Sequence, residues 1–284
     1  MLKTVTQVLI SGTTRLKEGG IESARLDAEI LLAYVLGWRR LSLYVDADKT
    51  LSPDKILRFN ELISKRLQKI PVAYLTGVRE FMGLSFSVNE NVLIPRPDTE
   101  ILTELVGEFL RQSSEEVTFA DLGTGSGAIC VSILKFVKTA RAIAVDISAE
   151  ALSVAKINAE KFHVDDRIKF LQGDMFEPLE GKFFNAIVSN PPYIPTGEIN
   201  SLQAEVQTEP RIALDGGSDG LDFYRRIVNE SPKFLVTGGM LAVEVGINQS
   251  RLVQSLIETD GRFTDTEIIC DLSGIERVVA AKLR

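Results

Sequence analysis

Residues 119–129 of this 284-residue chain read FADLGTGSGAI, and this stretch decides the predicted fold. An apolar run at Val117–Leu122, typical of a buried strand, leads into three glycines, and a helical pattern follows. Gly123, Gly125 and Gly127 at such a junction allow a tight turn and the close approach of a ligand, and the first N–H groups of the helix point outwards. Taken alone, the pattern is also compatible with a simple glycine-rich turn or with a nicotinamide dinucleotide site.

Further apolar runs follow this motif and alternate with helical stretches. They cover residues 140–145, 168–171, 185–188, 240–245, 266–270 and 277–282. Strands that alternate with helices indicate a mostly parallel, doubly wound sheet that is covered on both faces. We therefore predict an α/β fold in which residues 98–284 form a Rossmann-like domain with a seven-stranded, mostly parallel sheet.

The first quarter of the chain has helical periodicity. Apolar residues recur at helical spacing between Ser23, which can cap a helix, and Gly37, which can end it. Pro53 marks the first turn of a second helix, which ends before Pro71. We predict a small helical-bundle domain over residues 1–76.

Between the two predicted domains the apolar period changes to two. Apolar and polar residues alternate over residues 84–88, and a polar turn at 89–91 separates them from the apolar residues 92–94. This pattern predicts a β-hairpin linker over residues 77–97.

The composition is that of an ordinary globular protein, with 45% hydrophobic residues, 25% charged residues and a net charge of −7. Residues 1–80 carry 13 Lys and Arg against 9 Asp and Glu, whereas the rest of the chain carries 19 against 30. Such an acidic main domain disfavours a nucleic-acid substrate. No apolar run has the length of a membrane span, and residues 1–20 lack a signal-peptide pattern, so we expect a cytoplasmic protein without a membrane partner.

The cysteines and the single histidine do not indicate a metal site. Cys130 and Cys270 each lie in an apolar run without companion ligands at metal spacing, so we expect two buried, unpaired side chains. His163, in KFHVDD, lies near the end of a helical stretch, and we expect it at the surface.

Two of the predicted strands that follow the glycine motif end in acidic residues. Asp146 ends the next strand, in IAVDIS, where a carboxylate can accept both hydroxyls of a ribose. Asp174 ends the third strand, in FLQGDMF, and Met175 beside it can pack on an adenine. Asp146 could instead cap the following helix, and Asp174 could be a turn residue. Together with the glycines, these strand ends predict a cofactor site at one edge of the sheet.

The fourth predicted strand of the domain, residues 185–188, leads into VSNPPYIP at residues 188–195. An amide nitrogen is a poor nucleophile because its lone pair is delocalised. If the side-chain oxygen of Asn190 and the carbonyl of Pro191 accept its two N–H groups, the lone pair points at an electrophile, and the prolines keep both acceptors in place. The ring of Tyr193 can lie on the flat face of the amide. This chemistry requires neither a strong base nor a metal; a rigid turn at a strand end is the alternative.

The motifs GTGSG, VDIS, GDMF and NPPY together resemble class I S-adenosylmethionine-dependent methyltransferases, in which N-P-P-Y is typical of enzymes that modify planar amines and amides. Five more stretches extend the resemblance over nearly the whole chain: ARLDAEILLAYVL, LIPRPDTE, ALDGGSDGLDFYRRI, EVGINQ and DLSGIERVV. The complete set resembles the release-factor glutamine methyltransferase family, called PrmC or HemK.

The resemblance implies N5-methylation of the glutamine in the Gly-Gly-Gln motif of class I peptide chain release factors. It implies S-adenosylmethionine as the cofactor and substrate recognition by the helical domain. We expect a cofactor site made of Gly123, Thr124, Gly125, Ser126, Gly127, Asp146, Asp174, Met175 and Asn190. The expected catalytic residues are Asn190, Pro191 and Tyr193, and the expected substrate-binding residues are Asn190, Pro191, Pro192, Tyr193 and Arg96.

Three other parts of the sequence contain charged residues whose roles the local pattern does not specify. Arg96 and Glu100 could form an ion pair at a helix start, and the resemblance implies that they lie near the reacting end of the cofactor. Glu244, in AVEVG, could face the pocket or be structural. The stretch LDGGSDG predicts a flexible turn near the pocket, since its acids lack the spacing of a calcium-binding loop.

Other functions remain open from the sequence. A nucleic-acid adenine or guanine N-methyltransferase could use the same acceptor geometry, but it needs a basic channel for a splayed base. A ribosomal-protein glutamine methyltransferase would use the same chemistry on another protein. A non-catalytic S-adenosylmethionine-binding module is the third alternative, which the intact N-P-P-Y disfavours.

Overall fold

The computed structural model describes residues 3–284, which form two compact units. The first unit runs to Val78 and also includes Gln203–Thr208, and the second comprises Arg79–Leu202 and Glu209–Arg284. The start of the predicted helical domain, residues 1 and 2, lies outside the described residues. Within residues 3–284, no helix has the length and apolar character needed to cross a membrane.

The first unit is mainly helical. Its short strands β1 (Lys3–Thr4) and β2 (Thr50–Leu51) pair antiparallel. Its helices are α1 (Val5–Glu18), α2 (Ala24–Leu36), α3 (Ser42–Val45), α4 (Pro53–Leu67) and α5 (Val72–Thr76).

Local signals in the sequence explain where these helices begin and end. Thr4 and Gln7 form a reciprocal capping box at the start of α1. Gly37 ends α2 in the left-handed conformation, as predicted. Helices α1 and α4 pack closely, because a Cβ on Gly12 would lie 2.5 Å from a ring carbon of Phe59.

A buried arginine fixes the separate segment Gln203–Thr208 in this first unit. Arg66 is 2% exposed, and its Nε donates to Asp27 Oδ2 at 2.7 Å. Its Nη2 donates to Glu205. A charge taken out of water requires such partners, so Glu205 attaches its segment to α4. No local pattern in the sequence indicates this long-range pairing.

A small sheet is formed by β3 (Val78–Phe81) and β4 (Leu84–Ser87), which belong to the second unit apart from Val78. The second unit also contains a large sheet covered by helices. The strands of the large sheet are β5 (Val117–Leu122), β6 (Ala140–Asp146), β7 (Ile168–Gln172), β8 (Phe184–Ser189), β9 (Leu235–Glu244), β10 (Phe263–Cys270) and β11 (Glu276–Leu283). The helices are α6 (Thr99–Arg111), α7 (Ala128–Phe136), α8 (Ala149–Lys161), α9 (Asp222–Glu230) and α10 (Ser250–Asp260).

In the described part of the chain, the large sheet has seven strands in the order β10-β11-β9-β8-β5-β6-β7. Strands β5 to β9 are parallel, and β11 and β10 add an antiparallel edge. This confirms the predicted Rossmann-like α/β fold. The strand order reverses between β5 and β8, and ligands of such sheets bind at the carboxyl ends of the strands at this point.

The predicted hairpin has a different register in the structure. The turn lies at Met82 and Gly83, whose φ values of 52° and 68° match the tight I′ turn of a two-residue hairpin. Residues 92–94, predicted as the second strand, are not a strand. The turn was missed because methionine is not a usual residue at a positive φ.

The predictions for the cysteines and the histidine are partly confirmed. Cys130 is buried on α7 and unpaired, as expected. Cys270 is unpaired but exposed, so its predicted burial was wrong; it ends β10, the edge strand of the sheet. His163 is exposed, as predicted.

Candidate active site

A cavity of about 260 Å³ lies at the carboxyl ends of β5, β6, β7 and β8. It brings together most of the predicted site residues: Gly123, Gly125, Asp146, Asp174, Met175, Asn190, Pro191 and Pro192. A larger cavity of about 490 Å³ lies at the opposite, amino ends of the strands and includes Arg141, Lys169 and Lys182, but none of the predicted site residues. The chemistry predicted from the sequence therefore belongs to the smaller cavity.

The glycine motif forms one wall of this cavity. Gly123 and Gly125 have φ values of 72° and 54°, and a Cβ on either would meet no atom within 4 Å. The backbone at these two residues is therefore open to a ligand. Thr124 and Ser126 are buried and do not line the cavity. The Thr124 hydroxyl donates to Asp121 Oδ2 at 2.7 Å and so stabilises the loop.

Gly127 has a packing role instead. A Cβ at this position would lie 3.1 Å from the Cβ of Ala155, so the glycine lets the start of α7 approach α8. It does not line the cavity.

Asp146 holds the glycine loop through its side chain. Its Oδ2 accepts from Gly125 N at 2.8 Å, and its Oδ1 accepts from Ser148 N at 3.0 Å. Burial raises the pKa of this carboxyl, and these N–H donors oppose the rise. The alternative that Asp146 caps α8 is wrong, because Ser148 Oγ accepts from Ala151 N in that position. Each oxygen of Asp146 retains acceptor capacity for a further hydroxyl.

Asp174 and Met175 form the wall next to β7. Asp174 pairs with Arg226, with its oxygens 3.0 and 3.1 Å from the two terminal nitrogens. Met175 is 8% exposed and has a φ of 52°, a conformation rare for a residue with a side chain. Met175 lines the cavity in this conformation.

The N-P-P-Y segment follows the end of β8. Asn190, Pro191 and Pro192 line the cavity. Asn190 Nδ2 donates to Thr99 Oγ1 at 3.1 Å, so the nitrogen end of the amide is held by the protein and Oδ1 is the end left for a substrate.

Tyr193 does not line the cavity. Its hydroxyl lies 3.4 Å from Glu244 Oε1, and burial together with the Glu244 charge raises the pKa of the phenol. Gln249 Nε2 donates to the Tyr193 carbonyl at 2.8 Å. These bonds fix both ends of the tyrosine.

The segment LDGGSDG, predicted as a flexible turn, is instead bonded to the chain that follows N-P-P-Y. Ile194 N donates to Leu214 O at 3.0 Å, and Gly216 N donates to Ile194 O at 2.8 Å. A Cβ on Gly216 would lie 2.7 Å from Tyr193 Cα, and one on Gly220 would lie 2.4 Å from Tyr193 O. The glycines are needed for this close approach of two backbones.

Glu244 lies at the end of β9, behind N-P-P-Y. It is 2% exposed and does not line the cavity. Thr99 Oγ1 donates to its Oε2 at 2.5 Å. Burial raises the pKa of this carboxyl to about 7. Sequence reasoning did not single out Thr99, which is 145 residues away from Glu244.

Arg96 is placed beside the cavity rather than in its wall. Its Nη2 lies 2.6 Å from Glu209 Oε1, and Glu209 Oε2 accepts from Ile94 N at 3.0 Å. The alternative of an Arg96–Glu100 ion pair is wrong, because Glu100 accepts from Met82 N at 2.6 Å.

Several residues of the cavity wall were not foreseen from the sequence. They include Ile147, Pro210, Ile212, Phe223 and Arg226. Ile147 is 50% exposed directly after Asp146, and an apolar residue after a strand-end acid was a signal that could have indicated it. The others come from distant parts of the chain and have no local pattern.

Two domain families match the sequence. The PrmC N-terminal domain matches residues 7–77, and the methyltransferase small domain matches residues 99–208. The crystal structure of a methyltransferase from Pyrococcus furiosus, 15% identical, superposes with a TM-score of 0.53 over 77% of this chain and 98% of that chain. That likeness shows the fold.

Two curated relatives are much closer in sequence. A release factor glutamine methyltransferase from Geobacter sulfurreducens is 43% identical over 281 residues, which cover 99% of this chain and 97% of that protein. The protein of the same name from Moorella thermoacetica is also 43% identical over 281 residues, covering 99% of both chains. The chain therefore belongs to the release factor glutamine methyltransferase family.

Proposed function

We propose that this protein transfers a methyl group from S-adenosylmethionine to the side-chain amide nitrogen, N5, of the glutamine in the Gly-Gly-Gln motif of class I peptide chain release factors. The observation that carries the proposal is Asn190: its Nδ2 is bonded to Thr99, while the residue lines the same cavity as Gly123 and Asp146. The names of the full-length relatives support the release factor as the substrate.

The residues of the cavity fit S-adenosylmethionine. The open space at Gly123 and Gly125 admits a ligand against the backbone, and Asp146 offers carboxylate oxygens to ribose hydroxyls. Met175 and Ile147 supply apolar contact for the adenine, and Asp174 adds an acidic side chain to the wall. When bound, S-adenosylmethionine supplies an electrophilic methyl group on a sulfonium.

The N-P-P-Y segment would orient the substrate amide. Asn190 Oδ1 and the Pro191 carbonyl accept its two N–H groups, and this withdraws the nitrogen lone pair from the carbonyl and directs it toward the methyl group. Pro192 holds the backbone of this segment rigid. Tyr193, whose hydroxyl and carbonyl are both bonded within the protein, orients the segment.

The domain roles complete the proposal. We assign recognition of the release factor to the helical domain predicted over residues 1–76, the linker to residues 77–97 and methyl transfer to residues 98–284. Arg96 contributes to substrate binding from the end of the linker. The substrate is a protein and not a nucleic acid, and the reaction takes place in the cytoplasm, where release factors act.

The test is direct. The full-length protein is incubated with S-adenosylmethionine and an unmodified class I release factor, and the added methyl is located by peptide mass spectrometry. One methyl on the Gly-Gly-Gln glutamine is expected, and none in a release factor whose glutamine is replaced by alanine. Methyl transfer to DNA, ribosomal RNA or a ribosomal protein, with none on the release factor, would contradict the proposed substrate.

A further inference from the structure

Four side chains behind the cavity form one hydrogen-bonded network, which we call the Glu244 network: Asn190, Thr99, Glu244 and Tyr193. Asn190 Nδ2 lies 3.1 Å from Thr99 Oγ1, which lies 2.5 Å from Glu244 Oε2. The other oxygen, Oε1, lies 3.4 Å from the Tyr193 hydroxyl. One carboxylate thus contacts both ends of the N-P-P-Y segment, directly at Tyr193 and through Thr99 at Asn190.

The chemistry of these groups fixes the direction of each bond. An ionised carboxylate only accepts, so the single proton of the Thr99 hydroxyl points to Glu244. The Thr99 oxygen then has only lone pairs to offer Asn190, so Asn190 must present its NH2 group to Thr99. Its carbonyl oxygen is directed the other way. An asparagine without this constraint could flip its amide and present N–H groups in place of the acceptor.

We propose that Glu244 is a positioning residue, which fixes the amide orientation of Asn190 through Thr99 and holds Tyr193 through its hydroxyl. This inference rests on the proposed function, since the orientation matters because a substrate amide needs an acceptor at Asn190 Oδ1. Glu244 itself does not line the cavity, so it would act on a bound substrate only through Thr99 and Tyr193.

Glu244 carries its carboxylate in buried surroundings, where a charge needs a reason to be kept. A charge with 2% exposure is costly, and it needs compensating partners. Burial and the Asp98 carboxylate raise the pKa of Glu244, whereas the bonds from Thr99 and Tyr193 and the charge of Arg277 on β11 lower it. The balance leaves its pKa at about 7, so the network is complete only when the pH is high enough to ionise Glu244.

The first test is Glu244→Gln in the full-length protein. The new amide can donate to Thr99, which frees the Thr99 hydroxyl to donate to a flipped Asn190. We expect kcat for release-factor methylation to fall roughly 10- to 100-fold, as for the loss of groups that orient a reacting residue. The KM for the release factor and the dissociation constant of S-adenosylmethionine should stay within about twofold.

The hydroxyl of Thr99 provides a paired test. Thr99→Val keeps the shape of the side chain but removes the hydroxyl that links Glu244 to Asn190, so kcat should fall by a similar factor. Thr99→Ser retains the hydroxyl and should keep kcat near the wild-type value. Thr118→Val is a matched control, because Thr118 Oγ1 bonds Phe183 O at the opposite end of the sheet. If Ser at position 99 were as harmful as Val, packing would explain the effect and the proposal would be overturned.

The last readout does not depend on activity. The side-chain amide signal of Asn190, assigned in ¹⁵N-asparagine-labelled protein by comparison with Asn190→Ala, should shift with pH with a midpoint near 7. This shift should vanish in Glu244→Gln. A signal that is insensitive to pH and to the Glu244 substitution would overturn the network. If the wild type modifies no release factor, the proposed function fails, while this signal still decides whether Glu244 positions Asn190.

Discussion

The carboxylate of Asp146 accepts the backbone N–H of Gly125 at 2.8 Å, across 21 residues of sequence. The residue expected to hold the ribose therefore also holds the loop that approaches the cofactor. Asp146→Ala should weaken binding of S-adenosylmethionine roughly 10- to 100-fold, the effect of losing hydrogen bonds to a charged group. Isothermal titration calorimetry measures this, with the exposed Asp166→Ala as control. An unchanged dissociation constant would contradict the role of Asp146.

Asn190→Ala should have the opposite profile. The loss of a positioned acceptor at the reacting nitrogen should lower turnover by roughly two to four orders of magnitude. Cofactor binding should survive, because the Gly125–Asp146 contact is formed by the loop after β5 and the end of β6. Single-turnover kinetics and calorimetry together check both parts, and Asn229→Ala, on the exposed side of α9, is the control. A loss of affinity for S-adenosylmethionine as large as the loss of turnover would contradict the assignment of Asn190 to methyl transfer.

Gly216→Ala tests the close packing behind N-P-P-Y. The new Cβ would lie 2.7 Å from Tyr193 Cα, so one of the two backbones must move, and overpacking of this kind costs about 1–3 kcal/mol. We expect a lower melting temperature together with reduced turnover. Gly197→Ala is the matched control, since a Cβ there meets nothing within 4 Å. Equal effects of the two substitutions would show that the contact is unimportant.

The raised pKa of Glu244 predicts a pH dependence of stability. Its pKa is about 7 in the folded protein against 4.5 for a free glutamate side chain, so the folded state binds this proton more tightly than the unfolded state. The free energy of unfolding should therefore fall as the pH rises from about 5 to 8, by about 3 kcal/mol from this group. Glu244→Gln stays neutral and should not lose this contribution.

The measurement is urea unfolding of both proteins at several pH values, followed by circular dichroism. Fluorescence is unsuitable because the single tryptophan, Trp38, belongs to the helical unit. Asp121, whose pKa is raised to about 6, titrates in both proteins, so its effect cancels in the difference. A difference between variant and wild type that is independent of pH would contradict the raised pKa.

Local patterns account for what the sequence could predict. The glycines that follow β5, the acid at the end of β6 and the N-P-P-Y after β8 are each encoded within a few adjacent residues. Parallel strands then bring them to one edge without further information. The seven strands were predictable for the same reason, since each contains a short apolar run.

What the sequence did not reveal depends on contacts between distant residues. Arg96 bonds Glu209 across 113 residues, and Thr99 bonds Glu244 across 145. No periodicity links such pairs. The turn of the hairpin was misplaced for a different reason, because the alternation of residues 84–88 does not show that this strand pairs with the residues before it, through a turn at Met82 and Gly83.

The chain leaves the second unit at Gln203, contributes six residues to the helical unit and returns at Glu209, and Pro210 and Ile212 directly afterwards line the cavity. The two units are therefore discontinuous in sequence, and no single proteolytic cut or gene truncation separates them cleanly. A fragment that begins at Arg79 would retain Glu205 but lose Arg66, the arginine that binds it. Separation of the two units into independent proteins therefore requires redesign of the segment Gln203–Thr208. Recombination between family members should take this segment from the same parent as the helical unit.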